Sequence, residues 1–366
     1  MCITYRMYFK RIAITLTGIF LAACMYAQTD SKFFLAYDAG FMTTLDNRAY
    51  ELTDLDNSQT VFAAGLGGGV GAGLRIGNSS HRLMAGVSAL FPFGGEIKAR
   101  PLIWYQLNTN LGNSQLQVLG GSFSRGKVGG YYSQLLFSDL NIINDNSFEG
   151  FQFSLKATDF YYEFGIDRKG QKRSSSPMTR EQITFYSAGH HYPIHGQPLK
   201  LGYAGYVHFL GNSFDMNADD AVNDVIFYPY AEYDFGSRVN VQRALARLGY
   251  YQSFQSDRSE GNRLLAPAKG QVYLELRNWN VGFINDFLFG GDLMPFYDKL
   301  GSDYFGDPLM ARNAGGKKFA LYDKVSVYYE PKLLDKLSLR FQVNCHFNGG
   351  FAGWQQIVEL KYKFGN

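Results

Sequence analysis

The 366-residue chain carries 35 Lys and Arg against 32 Asp and Glu, a formal charge of +3 at pH 7. A balance this even, with no basic tract, argues against a nucleic-acid partner. Aromatic residues reach 16%, with 26 Tyr and 31 Phe beside 41 Gly and only 10 Pro, which suits strands and interfacial girdles better than a water-soluble core.

The first element in chain order is a leader. Arg6, Lys10 and Arg11 precede Ile12 to Ala23 (IAITLTGIFLAA), an uncharged apolar run that ends in small residues. That is the form of a signal peptide for Sec export. The run is shorter than the roughly 20 residues that span a bilayer, so removal is expected, not anchoring. Cleavage after Ala27 is preferred, making residues 1–27 the signal. The alternative, a lipobox at Leu21-Ala22-Ala23-Cys24, would leave Cys24 lipidated. With the preferred cleavage Cys345 is alone in the mature chain, which leaves no disulfide framework.

Residues 28–366 read as one domain, since no Pro- or Ser-rich linker divides them and no fixed-period repeat suggests a propeller. Alternation, aromatics and turn residues predict strands over 33–44, 60–77, 80–92, 99–109, 114–124, 146–157, 159–168, 180–192, 198–211, 224–236, 243–254, 269–277, 279–289, 319–331, 336–348 and 353–365. The gaps between them alternate. Short ones such as Asn78-Ser79, Thr158, Asn278 and Lys332 to Asp335 alternate with long ones such as Arg125 to Asp145 and Gly290 to Lys318, and only Phe93 to Lys98 and Gly349 to Ala352 break the contrast. Outer-membrane barrels have short periplasmic turns and long outer loops. The expected fold is therefore all-β, a transmembrane antiparallel barrel of about 16 strands (14–16) in the cell outer membrane.

Individual strands carry the same signature. In 271–277 (QVYLELR), Val272, Leu274 and Leu276 form one face, and Gln271, Tyr273, Glu275 and Arg277 the other. Farther on, Leu337, Leu339, Phe341, Val343 and Phe347 alternate with Ser338, Arg340, Gln342, Asn344 and His346. In the last strand Val358, Leu360, Tyr362 and Phe364 oppose Ile357, Glu359, Lys361 and Lys363. Lipid against one face and water against the other accounts for the pattern, because only a closed barrel satisfies its backbone within hydrocarbon. The expected lumen set is Glu275, Arg277, Lys324, Arg340, Gln342, His346, Glu359 and Lys361. Turns centred near Leu333 and between Gly350 and Phe351 would place Lys324 opposite Gln342, and Arg340 beside Lys361. Two like charges side by side favour anions locally.

The phrases HRLMAGVSALFPFG (81–94), FGIDRKGQKRSSSPMTREQITFYSAGHH (164–191) and GYAGYVHFLGNS (202–213) resemble those of uncharacterised outer-membrane barrels from Bacteroides-type Gram-negative bacteria. The resemblance runs along most of the mature chain. It implies fold and location, and brings no activity and no site residues.

Other constellations favour structural readings. His208 with Ser213, and His346 with Asn348, lack the His-x-Ser-Asn pattern expected of a lipid A deacylase, so no catalytic residue is assigned. His190, His191 and His195 suggest a metal only on paper, because neighbouring strand residues face opposite ways. Gly65 to Gly73 (GLGGGVGAG) lacks the Lys-Ser/Thr of a phosphate loop and lies in a strand pattern. Arg168, Lys169, Lys172 and Arg173 crowd a long loop and its edges, as a solvated rim or a contact for anionic lipopolysaccharide or an acidic glycan. Glu163 and Asp167 share a strand face about 13 Å apart, too far for a glycosidase pair.

The expected function is a porin-like channel for small hydrophilic solutes, monomeric or a homo-trimer, without cofactor or metal. The alternatives are a closed barrel that binds a glycan or partner protein through its 290–318 loop, and a lipid-modifying enzyme. Expected partners are outer-membrane lipid, lipopolysaccharide and the barrel-assembly machinery, which reads a terminal aromatic such as Phe364.

Overall fold

The computed structural model describes residues 31–51, 58–139, 145–172, 179–212, 222–257, 261, 263–297 and 306–365, with the side chains at 169–172, 179–181, 210–212, 351 and 364–365 excepted. The expected leader, its expected cleavage point, Arg173, Ser213 and the Phe364 side chain lie outside this set.

Sixteen long strands of the described residues form one antiparallel sheet: β1 (Ser31–Tyr50), β2 (Gln59–Ile76), β3 (Ser79–Pro92), β4 (Lys98–Leu111), β5 (Ser114–Ser124), β6 (Ser147–Lys156), β7 (Phe160–Lys172), β8 (Thr179–His191), β9 (Leu199–Asn212), β10 (Val222–Asp234), β11 (Arg243–Asp257), β12 (Ala268–Asn278), β13 (Val281–Gly290), β14 (Ala320–Tyr329), β15 (Leu337–Asn348) and β16 (Phe351–Gly365). Each pairs with its neighbours in sequence, and β1 pairs with β16 from Asp38↔Gly365 to Tyr50↔Gly353, so the sheet closes without an edge. Two short pieces, Arg263–Leu265 and Lys332–Leu334, extend the pairing of β11 and β15. The first precedes Pro267, which lacks the N–H that an unbroken ladder needs at that point.

Tight turns lie at one end. Gly77 (φ 53°) turns β2 into β3, and Trp279 (φ 49°) with Asn280 (φ 67°) turns β12 into β13. Positive φ at both central residues is what a two-residue hairpin needs to match strand twist. The sequence reading put this break at Asn278, one residue early, because Trp279 reads as a strand residue. At 82% exposure it fits an interfacial anchor better. This end is the periplasmic one by the short-turn rule. At the opposite end β7 runs on to Lys172, so Lys169 and Lys172 pair with Gln182 and Thr179 as strand and are not loop residues.

The faces fall as the alternation predicts. Leu274 and Leu276 are exposed on the outer surface while Gln271 and Glu275 are buried, and Phe341 and Val343 are exposed while Asn344 and His346 are buried. Exposed large apolar side chains recur around the wall, from Phe33 and Leu35 through Ile103 and Leu248 to Val327 and Phe341. On a surface facing water such a band would be costly. Against lipid it is the expected solvent match.

The register of the last strands differs from the expected one. Lys324 lies opposite His346 and Ser326 opposite Asn344, while Arg340 lies opposite Glu359, and Lys361 opposite Ser338. The shifts are even in residue number, so each face is preserved while the partners change. Their source is the turns: the β14–β15 turn carries Lys332–Leu334 as an irregular extension, and β15–β16 slips at His346/Phe347. The like-charged row of Arg340 and Lys361 therefore does not exist.

Candidate functional site

The lumen is narrowed from within by two of the long loops. The β5–β6 loop begins with a short turn of helix at Arg125–Lys127, capped by the Ser124 hydroxyl, which accepts from the Gly126 amide at 3.3 Å. Arg125 donates to Asp167 at 2.5 Å, and the Gly129 amide to Glu163 at 3.0 Å. The Glu163 carboxylate also accepts from Tyr161 at 2.5 Å and from Gln152 at 3.0 Å. The two lumen carboxylates that suggested a spaced acid pair thus tether a loop. Farther along, Arg247 donates to the Tyr131 hydroxyl, lies 3.9 Å from that ring's centroid, and pairs with Glu232. Burial pushes the Tyr131 phenol up to about 12 against the opposing pull of Arg247, so the ring enters this contact neutral.

The β13–β14 loop does the same from the other side. Helix α1 (Pro308–Ala311) is capped by Asp307, whose carboxylate accepts from the Leu309 amide at 2.9 Å. Lys269, projecting inward from β12, donates to the carbonyls of Met310 and Ala311 at 2.9 Å each and of Arg312 at 3.3 Å. It thereby satisfies carbonyls that a four-residue helix leaves open. The Phe296 amide donates to Gln255 at 3.1 Å, and Gln255 donates to Asp224 at 3.0 Å. The two loops meet where the Asp307 amide donates to the Gln134 carbonyl at 2.9 Å. Around these contacts Leu135, Leu136, Leu293, Met294, Leu309 and Met310 join lumen aromatics such as Tyr186, Tyr228, Tyr251 and Tyr322 in one buried cluster.

The loop expected at 290–318 as a binding surface is in large part lumen packing: Leu293, Met294, Phe296, Leu309, Met310, Ala311 and Ala314 belong to the buried core, while Gly315 to Lys318 are exposed. Hydrophobic runs such as PLMA (308–311) were the available signal, since a loop exposed to water rarely carries them.

The expected lumen residues all face inward, and most of their charges are paired, chiefly with Arg243 and Glu330, which lie outside the expected set. Glu275 accepts from Tyr328 at 2.8 Å and pairs with Arg243 at 3.1 Å. Arg277 and Arg340 each lie 3.8 Å from Glu330, and Arg340 sits 4.1 Å over the Tyr328 ring. Glu359 pairs with Lys361 at 2.7 Å. Gln342 donates to Asn344 at 2.6 Å, Asn344 donates to Gln355 at 2.7 Å, and His346 shares a 2.7 Å hydrogen bond with Tyr322. Lys324 is half-buried opposite Asp286. His208 is a buried lumen residue opposite Asp224 and Thr184. Of the basic group, Arg168 is exposed near the outer end of β7, and the side chains of Lys169 and Lys172 lie outside the described set. Sequence reasoning passed over Asp38, Arg125, Lys127, Arg247 and Lys269, each of which lacks a sequence-local partner.

A closed antiparallel barrel with an apolar outer band and a lumen of ion pairs and inward loops is the architecture of outer-membrane barrels. No family model matches the chain, and no curated protein does. Solved structures share its fold. A loop-deletion variant of OmpT, an outer membrane protein of Vibrio cholerae, superposes with a TM-score of 0.54 at 12% identity, covering 91% of this chain and 99% of that one. OprD of Pseudomonas aeruginosa gives 0.50 at 11% identity, covering 93% and 98%.

Proposed function

We propose that the protein is a narrow outer-membrane channel for passive diffusion of small hydrophilic solutes. The observation that carries this reading is the lumen itself. It is lined by charged and amide side chains, and it retains an open vestibule of about 960 Å³ at the periplasmic end despite two loops folded into it. A barrel whose interior served only packing would be expected to fill that space. Inward loops restrict the size of what passes, and ion pairs along the wall act on its charge.

A second reading is favoured by the loop cluster: a barrel sealed by its own side chains that serves as a surface scaffold. Purified protein in a planar bilayer separates the two. The channel reading expects discrete current steps, and a folded, inserted barrel that carries no current would sink it. The lipid-modifying enzyme is disfavoured, because His208 faces Asp224 and Thr184 inside the wall, away from any lipid. Lipid contact around the band, lipopolysaccharide at the outer rim, handling by the assembly machinery and a monomeric or trimeric state belong to the same proposal. Kinship with the Bacteroides-type barrels rests on the sequence phrases.

A further inference from the structure

The inward loops do not fill the barrel evenly. Three spaces follow one another on the side of the barrel formed by β16 and by β1 to β4. The periplasmic chamber of about 960 Å³ is followed by one of about 400 Å³ between that wall and the loop tip at Ser124, Gly126 and Lys127. Asp38, Lys127, Lys361 and Lys363 line both. Beyond it a space of about 30 Å³ shares Met42, Gly65 and Asn146 with the second, and is bounded by Lys98, Arg100 and Asp145.

The middle space has no packing explanation. A Cβ added at Gly67 would meet nothing nearer than the Val87 carbonyl oxygen at 3.9 Å, at Gly65 nothing nearer than Met42 Cε at 3.5 Å, and at Gly40 nothing nearer than the Tyr362 carbonyl oxygen at 3.7 Å. All are ordinary contacts. Gly69 differs, because there a Cβ would lie 2.7 Å from the Trp104 ring. The wall would therefore accept side chains at Gly40, Gly65 and Gly67 that close the space, and it carries none.

What crosses the space is one ion pair. Lys127, on the loop tip, pairs with Asp38 on β1, and its ammonium lies 5.3 Å from the Trp104 ring centroid. The ring and the loop hold the charge at the junction of the two larger chambers. The periplasmic chamber is bounded by seven basic side chains and three acidic ones. Among them Lys332, Lys336 and Lys363 have no ion pair with the described residues.

We propose that solute passes along this wall, off the barrel axis, and that Lys127 is the specificity-determining residue for solutes that carry an anionic group. The inference rests on the channel reading. An incoming carboxylate or phosphate takes the place of Asp38 at the Lys127 ammonium, a compact charge on a flexible stem that exchanges partners without rearranging the wall. The excess of basic charge below then draws the anion onward.

The test is single-channel conductance and reversal potential in a KCl gradient, on folded protein scored by heat-modifiable migration. Gly67→Phe should lower conductance at least about threefold. Gly120→Phe, at an unobstructed position on the outer face, should leave it unchanged. Lys127→Gln should move the reversal potential toward cations, and Asp38→Asn toward anions. If Gly67→Phe does not fold, Gly67→Cys modified by a bulky thiol reagent after insertion supplies the same obstruction. A conducting wild type with an unaltered Gly67 variant overturns the route alone. An unaltered reversal potential in Lys127→Gln overturns the role of that residue. A wild type that inserts and conducts nothing overturns the channel reading and this inference with it.

Discussion

Lys269 is the most informative single residue to perturb. It is 2% exposed and spends its three donors on three consecutive carbonyls of the β13–β14 loop. A hydrogen bond to a charged group contributes about 1.5–3 kcal/mol net, and an abandoned buried carbonyl costs about 1–3 kcal/mol. Burying the ammonium offsets part of this. Lys269→Met keeps the length of the stem and removes only the donors, so docking of the loop should weaken by about 2–4 kcal/mol. At 1.4 kcal/mol per decade, the undocked population rises by about 30-fold to several hundredfold. The barrel wall should stay intact, because the sheet's own hydrogen bonds are untouched. Proteolysis of intact cells should therefore cut within 291–319 faster, and single-channel current should become larger and noisier. Lys156→Met, at an exposed position near the periplasmic end of β6, is the control. Wild-type cleavage rate and wild-type current in folded Lys269→Met would show that the loop is held by its apolar contacts alone.

Val343→Arg places a charge on the outer face midway along β15 and should cost about 2–4 kcal/mol in denaturant titration, whereas Gln342→Arg, facing the lumen, should cost under about 1 kcal/mol. Equal losses would mean the faces are misassigned. The register is checked by cross-linking with Cys345 replaced by serine: Arg340→Cys with Glu359→Cys should oxidise readily, and Arg340→Cys with Lys361→Cys should not. For topology, a tag after Gly261, at the outer end between β11 and β12, should be accessible on intact cells, and one at Asp335 only after permeabilisation; labelling at Asp335 alone would invert the barrel.

Much of the wall was legible because a strand between lipid and water writes its two faces into alternate residues. Leu274 and Leu276 against Glu275 and Arg277 need no knowledge of neighbours to be sorted, and the long and short gaps order the strands by end. What that alternation cannot carry is partner identity. A slip of two or four residues leaves every face unchanged, so Arg340 beside Lys361 and Arg340 opposite Glu359 were equally consistent with the pattern. Turn geometry at Lys332–Leu334 and the slip at His346/Phe347 decided between them.

The interior was less legible still. Glu163 and Asp167 were visible as lumen carboxylates, but their partners, Gly129 and Arg125, lie 34 and 42 residues away in sequence. Lys127 and Asp38 are separated by 89 residues, and Lys269 lies 41 residues from Met310. By itself the sequence determined the solvent that each strand face meets, because that is set by the backbone's period of two. Only the tertiary structure decided which loops turn into the lumen and what space they leave along the glycine-lined wall, since both depend on closing the barrel and bringing those distant side chains together.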